Sequence, residues 1–319
     1  MLNRRLSFAA LLLAGASLGC ATGQLEPRCA IPSAPTRPAP LLWRAEAASE
    51  GGGLLYLFGS VHVGAEATPQ LTGEIHDAYE ESDELVVEVE IDDVAVAQIA
   101  ARLAGRGRLE PPKQLGDVLS AQTLELLVEY LKQRELELSM VEGLKPWFVT
   151  HWIVALELQS AGYESEYGID RYFVEKSQGV KPVVALESAQ QQIDLLDGLP
   201  LQVQEIMLRD ALDRSSNFDT ATDQMIRAWQ RGDERALEQL VFQPVEDNSD
   251  FEAFYETIFY ERNFAMSEKL SDLSRDGKTR FVVLGAGHML GPRGIPSALC
   301  TNGFSVRRVS GGGTEPPSN

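Results

Sequence analysis

"LYLFGSVHVGAE" at residues 55–66 and "FVVLGAGHMLGP" at 281–292 share one layout: an apolar run, a glycine, two residues and a histidine. The chain holds four histidines, and two of them, His62 and His288, stand in this context, 288 − 62 = 226 residues apart. Each apolar run reads as a buried strand that ends where its glycine begins a turn. Open α/β sheets expose functional side chains at the carboxyl ends of their strands, because the chain must leave the sheet there. If both runs belong to one sheet, the two histidines meet. The spacing therefore predicts one α/β domain around a central sheet, with a large helical insertion between its first and last strands.

Working outward, "LLWRAEA" and "LLYLFGS" read as a strand hairpin, and "TGEIHDAYEESD" as an amphipathic helix capped at Thr72. "ELVVEVEID" reads as a strand and "DVAVAQIAARLAG" as a helix ending at Gly105. Two or three helices fill 115–161, with Pro146 of "KPWF" interrupting the pattern and the cluster itself read as packing. "GIDRYFVEKSQGVKPVVALES" reads as a helix, a glycine stop and a short buried strand ending at Glu187. A long helical region then runs from Gln190 to about Leu273, punctuated at Gly198–Pro200, Gly232 and Pro244. "TRFVVLGAGHM" and "FSVRRV" are the last strands.

Familiar catalytic signatures are missing. "GASLG" at 15–19 fits a nucleophile elbow but falls in an export leader. His76 and His151 are followed by Asp77 and Trp152, so no HExxH motif forms, and both read as structural helix residues. "GAGHMLG" has Leu290 where a dinucleotide turn needs its third glycine. What remains is a set of polar residues at strand ends: His62, Glu88 or Glu90, Glu187 and His288. Neutral imidazoles with carboxylates suit a divalent transition metal, whose open position lets a bound water ionise near neutral pH. Glu88, flanked by apolar residues, is the costlier of its pair to bury without a partner. Glu187 ends an apolar run in the same way, or else caps the helix that follows. Arg262 and Asn263 either reach this site to hold a carboxylate or an oxyanion, or form surface pairs.

The whole chain of 319 residues, 44% hydrophobic, suffices for a substantial core. Its 28 basic and 47 acidic residues give a net charge of −19, and no basic stripe exists to neutralise phosphates, so nucleic acid is not an expected partner. "MLNRRLSFAALLLAGASLGCATG" has two arginines, an apolar run and small residues before Cys20, as in a secretory signal over residues 1–19. "SLGC" resembles a bacterial lipobox, with Ser17 where leucine is usual, so the expectation is lipid anchoring through Cys20, with plain secretion as the alternative. Residues 20–40, rich in proline and alanine, read as a tether, 41–309 as the single domain, and 310–319 as a disordered tail. With Cys20 acylated, Cys29 and Cys300 remain, either as a disulfide or as two separate thiols.

"LYLFGSVHVG", "SDELVVEVE", "YGIDRYF", "ALESAQQQIDLLDGLP", "ERNFAM" and "VLGAGHMLGPRGI" together resemble the TraB/GumN family, which includes the Tiki-type metalloproteases, from about Leu54 to Val309. The family's paired GxxH motifs fall here on Gly59–His62 and Gly285–His288, with its glutamate after the second strand at Glu88. Glu187, Gln192 and the Arg262–Asn263 pair also fall on family positions. The resemblance implies a fold like that of erythromycin esterase and the ChaN-like lipoproteins, with two related halves around one mixed sheet. It further implies a metal-dependent peptidase of manganese or cobalt type, zinc being the alternative. His62, His288 and one or two of Glu88 and Glu187 would hold the ion, with the remaining glutamate as base and Arg262 or Asn263 steadying the oxyanion. The expected protein is an envelope-anchored hydrolase of peptides or proteins. The rival is a heme- or iron-binding lipoprotein without turnover.

Overall fold

The computed structural model describes residues 40–48, 51–65, 71–89, 105–247 and 251–309. The expected leader, tether, Cys20, Cys29, Glu90, most of the helix expected before Gly105, and the tail lie outside the described residues.

A six-stranded mixed sheet forms the centre, in the order β4-β3-β5-β2-β1-β6. Strand β1 (Leu42–Ala47) runs antiparallel to both β2 (Leu54–Ser60) and β6 (Phe304–Arg308). Strands β2, β3 (Glu84–Val89), β4 (Val183–Glu187) and β5 (Thr279–Gly285) are mutually parallel. The chain thus fits the α/β class, and the hairpin and later strands fall where the apolar runs place them. What the runs do not give is the order. Strand β5, from near the end of the chain, inserts between β2 and β3, so the two GxxH strands are direct neighbours.

Burial explains why the insertion is stable. Phe281, Val282, Val283 and Leu284 of β5 are all fully buried. The Phe281 ring stacks on Phe58 of β2 at 5.9 Å, lies 4.8 Å from Phe173 and meets Tyr79 edge-on at 5.8 Å. Tyr79 belongs to helix α1 (Gly73–Glu80), and the middle helices hold a second apolar cluster of their own. Within it Leu127 and Leu131 of α2 (Ala121–Gln133) pack with Val149 and Ile153 of α3 (Pro146–Ser160). Phe173 belongs to helix α4 (Ile169–Ser177), which returns the chain to the sheet. Helix α5 (Ala189–Asp197) follows β4, and α6 (Leu201–Arg214) adds Leu208 and Leu212 to the middle cluster. Helices α7 (Phe218–Gln230) and α8 (Glu234–Asp247) precede α9 (Glu261–Leu273), which leads into β5.

Four local readings change. Pro146 starts α3 after the cap residue Lys145, where its missing N–H removes nothing from the helix. Pro244 does not end a helix; α8 runs past it to Asp247, with Leu237 buried in the main core. Thr72 occupies the cap position of α1 but makes no side-chain cap bond. Strand β4 is half-buried, because it is an edge strand with a single neighbour.

Replacing Phe281 with alanine removes the ring on which three others converge, so Phe281→Ala should destabilise the fold by about 3–5 kcal/mol in urea unfolding. A loss below ~1 kcal/mol would contradict this account of the core.

Candidate functional site

The carboxyl ends of β2, β5, β3 and β4 lie side by side, since Ser60 is level with Gly285 and Val89 with Glu187. Around this rim the structure gathers His62, Glu88, Glu187, Arg262, Asn263 and His288.

His62 stands two residues past β2, and its Nδ1 lies 2.9 Å from Asp170 Oδ2. The other oxygen of Asp170 accepts a 2.7 Å bond from Ser60 Oγ. Asp170 is the second residue of α4, whose first amide, Ile169 N–H, donates to Val61 O at 3.0 Å. Helix and turn are therefore tied together at the point where the carboxylate meets the ring. His288 follows β5 in a helical turn, Ala286–Met289, with Nδ1 2.6 Å from Asn263 Oδ1 and its ring 5.3 Å from Phe259. In both histidines an oxygen acceptor faces Nδ1, which places a hydrogen there and leaves Nε2 for a second partner.

His288 Nε2 faces a carboxylate, and His62 Nε2 lies over the glycine beside it. Glu88 Oε2 lies 3.7 Å from His288 Nε2 and accepts from Gly285 N–H at 3.4 Å. A Cβ at Gly285 would stand 2.8 Å from His62 Nε2 and 3.6 Å from Glu88 Oε2. The strand register accounts for this. Gly59 is level with Leu284 rather than with Gly285, so the motifs are staggered by one residue and the first histidine lies over the second glycine. The glycine is needed for close approach. The chain turns directly after it, into Ala286–Met289, while Gly285 itself keeps an extended backbone, φ −49° and ψ 135°.

The other oxygen of Glu88 accepts from Gln192 Nε2 at 2.8 Å and from Arg262 Nη2. Arg262 also donates through Nε and Nη2 to both oxygens of Glu187, at 2.6–3.2 Å, and through Nη1 to Ile258 O at 2.9 Å. One guanidinium thus bridges carboxylates from adjacent strands. Asn263 is engaged at both ends, its Nδ2 donating to Arg293 O at 2.9 Å.

These contacts set the charges. Asp170 pushes the His62 imidazole up, to about 9, against the opposing effect of burial. The His62 side chain is 60% exposed, so solvent screening weakens that pull, while the upward direction stands. Burial pushes His288 down to about 4. Burial would raise Glu88, but the charges of His288, His62 and Arg262 outweigh it and hold the carboxyl at about 2. Arg262 is raised despite its burial by its bonds to Glu187 and the charge of Glu88.

By donor chemistry His62, His288 and Glu88 are side chains of the type a divalent cation takes, imidazole nitrogens and an ionised carboxylate. Among the described residues, however, no group of three or more His, Cys, Asp or Glu side chains is arranged to hold a metal ion. Glu187 is turned to Arg262 and Gln192 instead. A cleft of about 310 Å³ opens beside His62 and Glu88, with Ser165, Asp170 and Gln192 in its wall.

Asp170 is the residue that sequence reading passed over. An acid in the first turn of an amphipathic helix has an ordinary role at the helix dipole, so only its burial separates it from the rest. His76 lies in α1, and His151 bonds Trp147 O at 2.9 Å and is pushed down by burial; neither joins the site. Cys300 is disulfide-bonded, and Cys20 and Cys29 lie outside the described residues.

Compared with known proteins, residues 41–308 match the family model described as the TraB/PrgY/gumN family. No curated protein and no solved structure matches the chain.

Gly285→Ala should leave the fold intact, because alanine tolerates that backbone, yet displace the His62 ring. The expected result is an unfolding midpoint within about 1 kcal/mol of the parent together with a shifted His62 ring resonance in NMR spectra. An unmoved resonance would show that Nε2 does not lie over this glycine.

Proposed function

The chain belongs to the TraB/PrgY/gumN family, and on that premise we propose that it is a metal-dependent hydrolase of peptides or proteins. The observation that carries this reading is the pair of imidazoles, each held at Nδ1 by an oxygen acceptor, at one sheet edge with an ionised carboxylate that lies 3.7 Å from His288 Nε2. His62 and His288 would hold a divalent ion through Nε2 and Glu88 through Oε2. The imidazole and carboxylate set suits manganese or cobalt, with zinc as the alternative. When bound, such an ion supplies Lewis acidity toward a carbonyl and lowers the pKa of water.

The chain's own residues do the remaining work. Asp170 and Asn263 fix the two rings, so the donor atoms are oriented before anything binds. Gln192 and Arg262 pin the far oxygen of Glu88. The proton of an attacking water would pass to the Glu88–Glu187 pair that Arg262 bridges, and the guanidinium would offset negative charge growing on the attacked carbonyl. Asn263 faces His288 and Arg293 O, which makes it a positioning residue in this scheme. Glu88 and Gln192 line the cavity beside His62, and Glu187 and Arg262 line another of about 440 Å³ that reaches Lys269, so a substrate has room beside either carboxylate.

The same reading takes the protein to be exported and held at the bacterial cell envelope by a lipid on Cys20. The leader, lipobox-like "SLGC" and proline-rich tether support it. No helix of the described residues is long and apolar enough to cross a membrane.

Stripping divalent ions with a chelator should abolish peptide cleavage, and Mn²⁺ or Co²⁺ should restore it; a His62→Ala, His288→Ala double variant should stay inactive with either. Cleavage that survives in the double variant would overturn the assignment. A heme absorption band in the purified protein would favour the heme-binding reading instead.

A further inference from the structure

Arg293 lies five residues past His288, on the loop that leaves the site, and its side chain is 51% exposed. Its guanidinium carbon Cζ lies over the Tyr260 ring, 3.7 Å from the centroid. It also makes a paired bond to Glu256, Nη1 to Oε2 at 2.7 Å and Nη2 to Oε1 at 2.6 Å. Glu256 and Tyr260 are the two ends of a π-helical turn, Glu256–Tyr260, that runs directly into α9. Phe259 of the same turn packs against the His288 ring. Asn263, in the first turn of α9, is 2% exposed.

These contacts form a closed ring of constraints. The backbone carbonyl of Arg293 accepts from Asn263 Nδ2 at 2.9 Å. A primary amide has one donor end and one acceptor end, so with the donor end taken, Oδ1 must face His288 Nδ1, 2.6 Å away. An acceptor at that place requires the hydrogen on Nδ1 and leaves the lone pair on Nε2, the nitrogen turned to Glu88. A reversed amide would present two hydrogens to Nδ1, and the ring hydrogen would have to move to Nε2.

We infer that Arg293 is a positioning residue that sets the tautomer of His288: its clamp on Glu256 and Tyr260 holds its own carbonyl where that oxygen fixes the Asn263 amide. An exposed ion pair contributes little to stability by itself, so the role of the pair is directional. The two-pronged bond to Glu256 needs the fork of a guanidinium, which lysine does not supply. The functional weight of the inference rests on the reading above, in which His288 uses Nε2, whereas the tautomer itself is a property of the metal-free protein.

The test is long-range proton–nitrogen NMR of the purified, metal-free chain labelled with ¹⁵N-histidine, near neutral pH, with His288→Gln used to assign the signal. The parent protein should show His288 with hydrogen on Nδ1 and none on Nε2. Arg293→Ala and Glu256→Gln should each raise the Nε2–H form at least tenfold with unchanged circular dichroism, and Arg293→Lys should resemble Arg293→Ala. In a peptidase assay the same variants should lower kcat, by roughly 10- to 100-fold, with KM unchanged. A parent spectrum showing Nε2–H, or unaltered spectra in both Arg293→Ala and Glu256→Gln, overturns the inference. The spectra need neither metal nor substrate, so a failed hydrolase reading and a failed tautomer reading are told apart.

Discussion

One parallel pairing, β2 against β5 from Leu54↔Thr279 to Ser60↔Gly285, underlies everything else in this molecule. It joins segments more than two hundred residues apart, and closing so long a loop costs roughly 5 kcal/mol of chain entropy. Complete burial of the four central β5 side chains opposes that cost, since each contributes about 1.5–3 kcal/mol. The same register staggers the two GxxH motifs by one residue, which brings the first histidine over the second glycine. A slip of one residue would turn every side chain of β5 to the opposite face and dismantle core and site together.

The second constraint is charge. Glu88 and Glu187 end neighbouring strands, and two carboxylates so placed repel each other unless a cation stands between them. Arg262 is that cation, and its engagement with both strands docks α9 across the end of the sheet. With α9 fixed, Asn263 reaches His288. On the far side, α4 is docked by Ile169 and carries Asp170 to His62. Each imidazole is therefore oriented by a helix that belongs to a different part of the chain.

The readable part of the site in the sequence was the part written in rare residues. Two histidines in one repeated context, and glutamates closing apolar strands, announce themselves, because such groups are costly to bury without a purpose. Asp170 did not, because a helix-initiating acid is common. The direction of the Asn263 amide depends on a carbonyl thirty residues further on, and local pattern carries no such information. Strand order was hidden for the same reason. Periodicity locates β5 as a strand but cannot say that it inserts between β2 and β3. Pro146 and Pro244 misled in opposite ways, one opening a helix and the other lying inside one whose burial carries it through.

The central claim is that the two GxxH histidines act on a single ion. Pulsed electron paramagnetic resonance of the Mn²⁺-loaded protein tests it directly. The account predicts one ion per chain with nitrogen couplings from two imidazoles, one lost in His62→Ala and the other in His288→Ala. Manganese bound without nitrogen coupling, or coupling that survives both substitutions, would contradict it.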